Sequence, residues 1–175
     1  MTENTPRILF LADQPWQGGI QLALAKKMAR KFKYEGSLLF TDYYTFVFDK
    51  AYLRGIKEGF SGNVYTQEEL YRSWQETTES PSTEQPRDYR YEYANGRSLQ
   101  TIKKMNQWIY GNERTQYYKN ISKEWEDRIF QDTLNWTEQI MGEINPDVVI
   151  TIERSTVPNN LIYEIAVEKE IKFLT

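Results

Sequence analysis

Arg7-Ile-Leu-Phe-Leu11, followed by Ala12-Asp-Gln-Pro-Trp-Gln-Gly-Gly19, decides the fold class of this 175-residue chain. The run Arg7–Leu11 is apolar without polar alternation, the pattern of a strand buried on both faces of a parallel sheet. Past the glycine pair, Ile20, Leu24, Met28 and Phe32 recur at every fourth position with Lys26, Lys27, Arg30 and Lys31 between them. That spacing predicts an amphipathic helix ending near Lys33. Gly36 then precedes a second apolar run, Ser37–Phe40. Strand, helix and strand in this order predict a right-handed parallel crossover with the first strand central in the sheet.

Working outward, the residues after Asp42 predict a helix over Asp49–Lys57 and a short strand over Asn63–Tyr65. Thr66 and Glu69 have the spacing of a capping box, which predicts a helix running to about Glu76. Residues 77–90 are rich in Ser, Thr, Glu and Pro and predict a mobile loop, either a lid or partner-binding connection or plain solvated surface. Helices are expected over Ser98–Tyr110 and Arg114–Ile144, the second with Ile121, Trp125, Ile129, Trp136, Ile140 and Ile144 along one face. Core packing is the simplest use of that stripe. Asn145-Pro146 ends the long helix, because proline disfavours helical geometry in the residue before it. The β-branched run Val148–Ile152 predicts the clearest strand of the chain. Val157-Pro158 then opens a helix carrying Leu161, Ile162, Ile165 and Ala166, and Ile171–Leu174 predicts a last strand. The alternation predicts one α/β domain over residues 1–175, Rossmann-like, with a mostly parallel sheet flanked by helices and a helical insertion in the middle.

Composition narrows the function classes. A formal net charge of -3 and a negative mean hydropathy argue against a general nucleic-acid or membrane-surface binder, since both partners attract basic surfaces. No stretch approaches the roughly 20 apolar residues that span a bilayer, and Met1–Arg7 lacks the apolar run of a signal peptide, so a cytoplasmic protein without a transmembrane segment is expected. With no Cys and no His, thiolate chemistry and a histidine base are excluded. Catalysis must rest on carboxylates, Lys, Arg, Tyr or hydroxyls. No carboxylate cluster has metal-ligand spacing, so no metal site is expected.

In open α/β sheets, ligands bind outside the carboxyl ends of the strands, where helix amino termini present unpaired amides. Two segments qualify. In Asp13–Gly19, Gly18 and Gly19 allow a phosphate, sugar or other ligand close to the backbone, or they serve only the conformation of the turn. The spacing is neither a Gly-x-Gly-x-x-Gly fingerprint nor a Walker motif. Asp13 is a candidate general base or hydroxyl ligand, with turn or helix capping as its structural alternative. Glu153–Asn160 gathers a carboxylate, a guanidinium, two hydroxyls and two amides after the best strand. Here Arg154 suits a phosphate or carboxylate, Glu153 a sugar hydroxyl or a base, and Ser155, Thr156 and Asn159 further polar contacts. Alternatively, Glu153 and Arg154 form a surface pair while Ser155 or Thr156 caps the helix. Asp42 stands where a Rossmann enzyme places a ribose-binding acid.

Arg7-Ile-Leu-Phe-Leu-Ala-Asp13 with its Gly-Gly helix start, and Asn145-Pro-Asp-Val-Val-Ile150 followed by a polar loop and Leu161-Ile-Tyr-Glu-Ile-Ala166, resemble the amino-terminal lobe of GT-B glycosyltransferases. The likeness is to bacterial capsule and surface-polysaccharide biosynthesis proteins. In these the next segment is usually Gly-Ile-Pro, whereas this chain has Glu170-Ile171-Lys172. The resemblance covers both ends of the chain and not its middle. It implies a lobe that binds a carbohydrate acceptor, a second GT-B lobe that holds the nucleotide-sugar donor, no tightly bound cofactor, and an acidic base at Asp13 or Glu153. A fragment limited to this lobe is then expected to be inactive alone.

Two rival readings follow from the same residues. A freestanding, non-catalytic α/β module would bind a nucleotide, a sugar or a partner protein, and a homodimer would use the long helix with Trp125 or Trp136. A small enzyme would use Asp13 and Arg154 on a phosphorylated substrate. The observation that separates these readings is whether the Asp13 and Glu153 segments line one cleft.

Overall fold

The backbone register sets three parallel strands side by side. The computed structural model describes residues 5–41, 50–67, 123–153 and 156–175. Among them β1 (Arg7–Ala12) pairs in parallel with β2 (Glu35–Phe40), Arg7 opposite Glu35 and Ala12 opposite Phe40. On its other side β1 pairs in parallel with β4 (Val148–Ile150), Ile8 opposite Val148 and Phe10 opposite Ile150. The short strands β3 (Val64–Tyr65) and β5 (Lys172–Leu174) complete a five-stranded sheet in the order β3-β2-β1-β4-β5, all parallel. The first strand is therefore central, as its apolar run predicts.

Alternation along β1 divides the interior. Ile8, Phe10 and Ala12 face α1 (Pro15–Ala29) and α2 (Lys50–Lys57), packing with Ala25, Leu38, Phe40, Ile56 and Phe60. Leu9 and Leu11 face the opposite layer, α3 (Lys123–Ile144) and α4 (Val157–Glu168), packing with Phe130, Leu134, Met141, Leu161 and Ile162. Each fully buried side chain of this size contributes about 1.5–3 kcal/mol. Trp136, Ile140 and Ile144 of the predicted stripe lie in this second core. Trp136 is therefore committed to the domain's own interior, which removes it from the dimer interface suggested by the helix pattern.

Several boundaries differ from the sequence reading. α1 begins at Pro15, five positions before Ile20, because Gln14 takes an extended conformation and proline's fixed φ favours the first helical turn. Gly18 and Gly19 thus stand inside the helix, not in a turn before it. Ile20 and Phe32 are exposed, and Gln17, Gly18, Gln21 and Ala25 form the buried side of α1 instead. The two glutamines tolerate burial because their side-chain amides bond to groups at the end of β1. β4 ends at Ile150, two residues earlier than predicted, and β5 is a half-exposed edge strand, with Phe173 packed on the core and Leu174 outside it.

The turns after the two later helices use left-handed residues. Asn145 ends α3 with φ 43°. After α4, Glu170 has φ 56°, the Glu170 N–H donates to the Val167 carbonyl at 3.2 Å and the Ile171 N–H to the Ala166 carbonyl at 2.8 Å. This is a Schellman closure with glutamate in the position that glycine fills most easily. The predicted capping box falls partly, and the 77–90 loop, the Ser98–Tyr110 helix, Asp42, Trp125's side chain, Arg154 and Ser155 fall wholly, outside the described residues.

Candidate functional site at the carboxyl ends of β1, β2 and β4

Continuing the registers one residue past β1 and β2 and three residues past β4 brings Asp13, Thr41 and Glu153 to the same edge. Asp13 directly follows β1, Thr41 directly follows β2, and Glu153 lies just past β4. Because the chain leaves β1 toward β2 on one side and returns to β4 on the other, this edge is the topological switch point of the sheet, where strand-end loops part and leave a crevice.

Side chains tie the edge together. Asp13 is 1% exposed, and its Oδ1 accepts hydrogen bonds from the Thr41 hydroxyl and the Asn159 side-chain amide. The Asp13 N–H donates to Gln17 Oε1 at 2.6 Å, and Gln17 Nε2 donates to Glu153 Oε1 at 2.9 Å. One buried glutamine, a single turn into α1, thus links the two segments. Asn159 Nδ2 also reaches the Glu153 carbonyl at 3.1 Å, and the Thr151 hydroxyl donates to the same carbonyl at 2.7 Å. Two further amides hold the backbone beneath: Gln21 Nε2 donates to the Leu11 carbonyl and Gln67 Nε2 to the Thr41 carbonyl, each at 2.8 Å. Buried polar groups of this kind are costly unless partnered, so the network fixes the geometry of the edge.

The candidate residues separate by environment. Glu153 is exposed, with Oε1 held by Gln17 and Oε2 turned to no partner among the described residues. Asp13 is interior, and its Oδ1 is occupied by the protein's own donors. Thr156 is the N-cap of α4, its hydroxyl accepting from the Asn159 N–H at 3.4 Å, so the capping alternative holds for it. Asn159 is fully buried and acts on Asp13 and Glu153 rather than facing solvent. Gly18 packs so closely that a Cβ would stand 2.7 Å from the Phe40 ring and 2.8 Å from the Tyr52 hydroxyl, which makes it a packing glycine. A Cβ on Gly19 would meet nothing within 4 Å among the described residues.

Gln17 and Thr41 were not singled out by the sequence reading. Thr41 had a usable signal, since it follows its strand as Asp13 does. Gln17 had none, because a glutamine inside a helix reads as solvent-facing until the helix is placed.

Among the described residues no group of three or more acidic side chains is arranged to hold a metal ion, and no helix is long and apolar enough to cross a membrane. A separate polar pocket of about 170 Å³, lined by Arg7, Glu35, Ser37, Asn63, Tyr65 and Glu143, lies at the opposite, amino-terminal end of the strands. In comparisons with known proteins the chain matches no family model, no curated protein and no solved structure.

Proposed function

We propose that this domain is the acceptor-binding lobe of a GT-B-like glycosyltransferase acting in surface-polysaccharide synthesis, with its acceptor lodged at the carboxyl ends of β1 and β4. The observation that carries the reading is the Gln17 bridge, which joins the Asp13 and Glu153 segments into one edge. In this reading Glu153 takes the role of base. Its exposed carboxylate, oriented through Oε1, takes the proton from an acceptor hydroxyl as that oxygen bonds to the anomeric carbon of the donor sugar and the nucleoside diphosphate leaves. Asp13 is a positioning residue, which holds Asn159 and through it the Glu153 backbone. The donor belongs to a second lobe.

Titration of the isotope-labelled chain with polysaccharide fragments, followed by backbone NMR, tests this. Fragments are expected to perturb residues 13–19 and 151–159, and Glu153→Gln is expected to weaken binding. Binding of nucleotides alone at this edge, or no response to any carbohydrate, rejects the acceptor reading. A non-catalytic binding module is the second reading, favoured by the burial of Asp13, which leaves only one of the two candidate bases accessible. It predicts ligand binding that is indifferent to Glu153→Gln.

A further inference from the structure

The outward side of α1 carries no negative charge. From Gln14 to Tyr34 the chain contains no Asp or Glu, and Lys26, Lys27, Arg30, Lys31 and Lys33 fall within that stretch. Gln17, Gly18, Gln21 and Ala25 turn inward, so the helical period brings Trp16, Ile20, Ala23, Lys27 and Arg30, at alternating steps of four and three, onto the solvent side. All five are exposed, Trp16 by 59% and Ile20 by 49%, and so is Phe32 just past the helix. The stripe is about 20 Å long, with apolar side chains at both ends and cations between them. Among the described residues none of the five cations is held in an ion pair. In the same layer α2 adds the exposed Arg54 and Lys57 and contains no acidic residue, Glu58 being the first beyond it. Across the sheet the balance reverses. Asp132, Glu138, Glu143 and Glu168 reach solvent on α3 and α4, and there Arg128 is paired with Asp132 at 3.7 Å. The net charge of -3 is thus a sum over unlike faces.

We propose that the outward face of α1 docks this domain on an anionic lipid bilayer, with Trp16 and Ile20 in the headgroup layer and Lys26, Lys27 and Arg30 against lipid phosphates. This surface is separate from the edge that carries Asp13 and Glu153, and it does not rest on the acceptor reading. A bilayer surface is the partner that suits both parts of the stripe. Indole rings settle at the headgroup level, aliphatic side chains enter the acyl boundary, and Lys and Arg are drawn to anionic headgroups. A nucleic acid would suit the cations but would offer Ile20 no apolar medium. The acidic side chains of α3 and α4 are repelled by the same surface, which selects the side that docks. The helix lies on the bilayer, since its 15 residues are too few to cross it.

The test is co-sedimentation of the full chain with sucrose-loaded vesicles of phosphatidylcholine, alone or with about one-third phosphatidylglycerol. The parent is expected to bind the anionic vesicles and not the neutral ones, and to be released at about 1 M salt. Lys26→Glu with Lys27→Glu should weaken binding about tenfold or more, and Trp16→Ser with Ile20→Ser should weaken it several-fold. Lys169→Glu with Lys172→Glu makes the same change in net charge away from α1 and should bind as the parent does. Every substituted side chain is exposed, so the variants are expected to melt with the parent. No binding to anionic vesicles, equal loss in the two charge-reversed pairs, or unchanged binding after the Trp16 and Ile20 substitutions overturns the proposal. Tighter binding of a single-stranded RNA or duplex DNA oligomer than of the vesicles, lost in the Lys26 and Lys27 pair, overturns it in favour of a nucleic-acid face.

Discussion

The side-chain amide of Asn159, in the first turn of α4, donates to the carboxyl oxygen of Asp13, 146 residues earlier in the chain. The same oxygen accepts the Thr41 hydroxyl, so one buried group fastens the ends of β1 and β2 to the helix that follows β4. Replacing it with Asp13→Ala leaves both donors short of an acceptor in the interior. The expected loss is about 2–4 kcal/mol, read as a lower urea midpoint with unchanged slope, and Asp13→Asn, which keeps an acceptor oxygen, should lose less. A loss within about 0.5 kcal/mol would mean that the network is not a structural tie.

The paired glycines should respond with opposite signs. Gly18→Ala forces a methyl against Phe40 and Tyr52 and is expected to cost about 1–3 kcal/mol. Gly19→Ala adds a methyl in open space on a helix and should stabilise by about 0.5–1 kcal/mol. Thermal unfolding of the two variants side by side decides the matter; equal shifts would contradict the packing.

Glu170 sits in a left-handed conformation that costs an L side chain roughly 1–2 kcal/mol and glycine almost nothing. Part of that gain is offset by the extra freedom of glycine in the unfolded chain. Glu170→Gly is therefore expected to stabilise by about 0.5–1 kcal/mol, and a destabilised variant would refute the closure described after α4.

Three tyrosines make stability sensitive to alkali. Burial raises the pKa of Tyr34, Tyr52 and Tyr65 above the ordinary value of 10.0. For Tyr65 the Asn63 hydrogen bond opposes the rise, and Glu143 adds to it. The unfolded chain therefore loses these protons first. Their contribution is complete below pH 10 and falls as pH rises through the higher folded values. Melting temperatures measured from about pH 8 to about pH 11.5 should stay level and then decline, less steeply in Tyr34→Phe, which also gives up the 2.7 Å bond to the Ala25 carbonyl. A level profile throughout would contradict the burial of these hydroxyls.

The strands were legible because a buried parallel strand advertises itself as an uninterrupted apolar run, as Arg7–Leu11 and Val148–Ile150 do. The inner side of α1 was not. Its periodic apolar residues mark a flank, while Gln17 and Gln21 face inward, and a glutamine is readable as buried only once its backbone partner is located. The two site segments could be named from their polar density and their place after strands. Their meeting could not, since it depends on β4 returning to the free side of β1, a matter of strand order that no local pattern encodes. Proline at the start of α1 was the one available sign that the helix begins before the glycines.

Strand order also imposes a timetable on the nascent chain. Every buried member of the α1–α2 core, from Ile8 to Phe60, is synthesised within the first 60 residues, so that half of the sheet can collapse early. The partner of β1 on its other side arrives 140 residues later, and the loop that must close to dock it is correspondingly slow to form. Glu153 and Asn159 come later still. The edge that carries Asp13, Thr41 and Glu153 is therefore completed only late in synthesis, and a chain interrupted before α4 lacks the Asn159 tie that closes it.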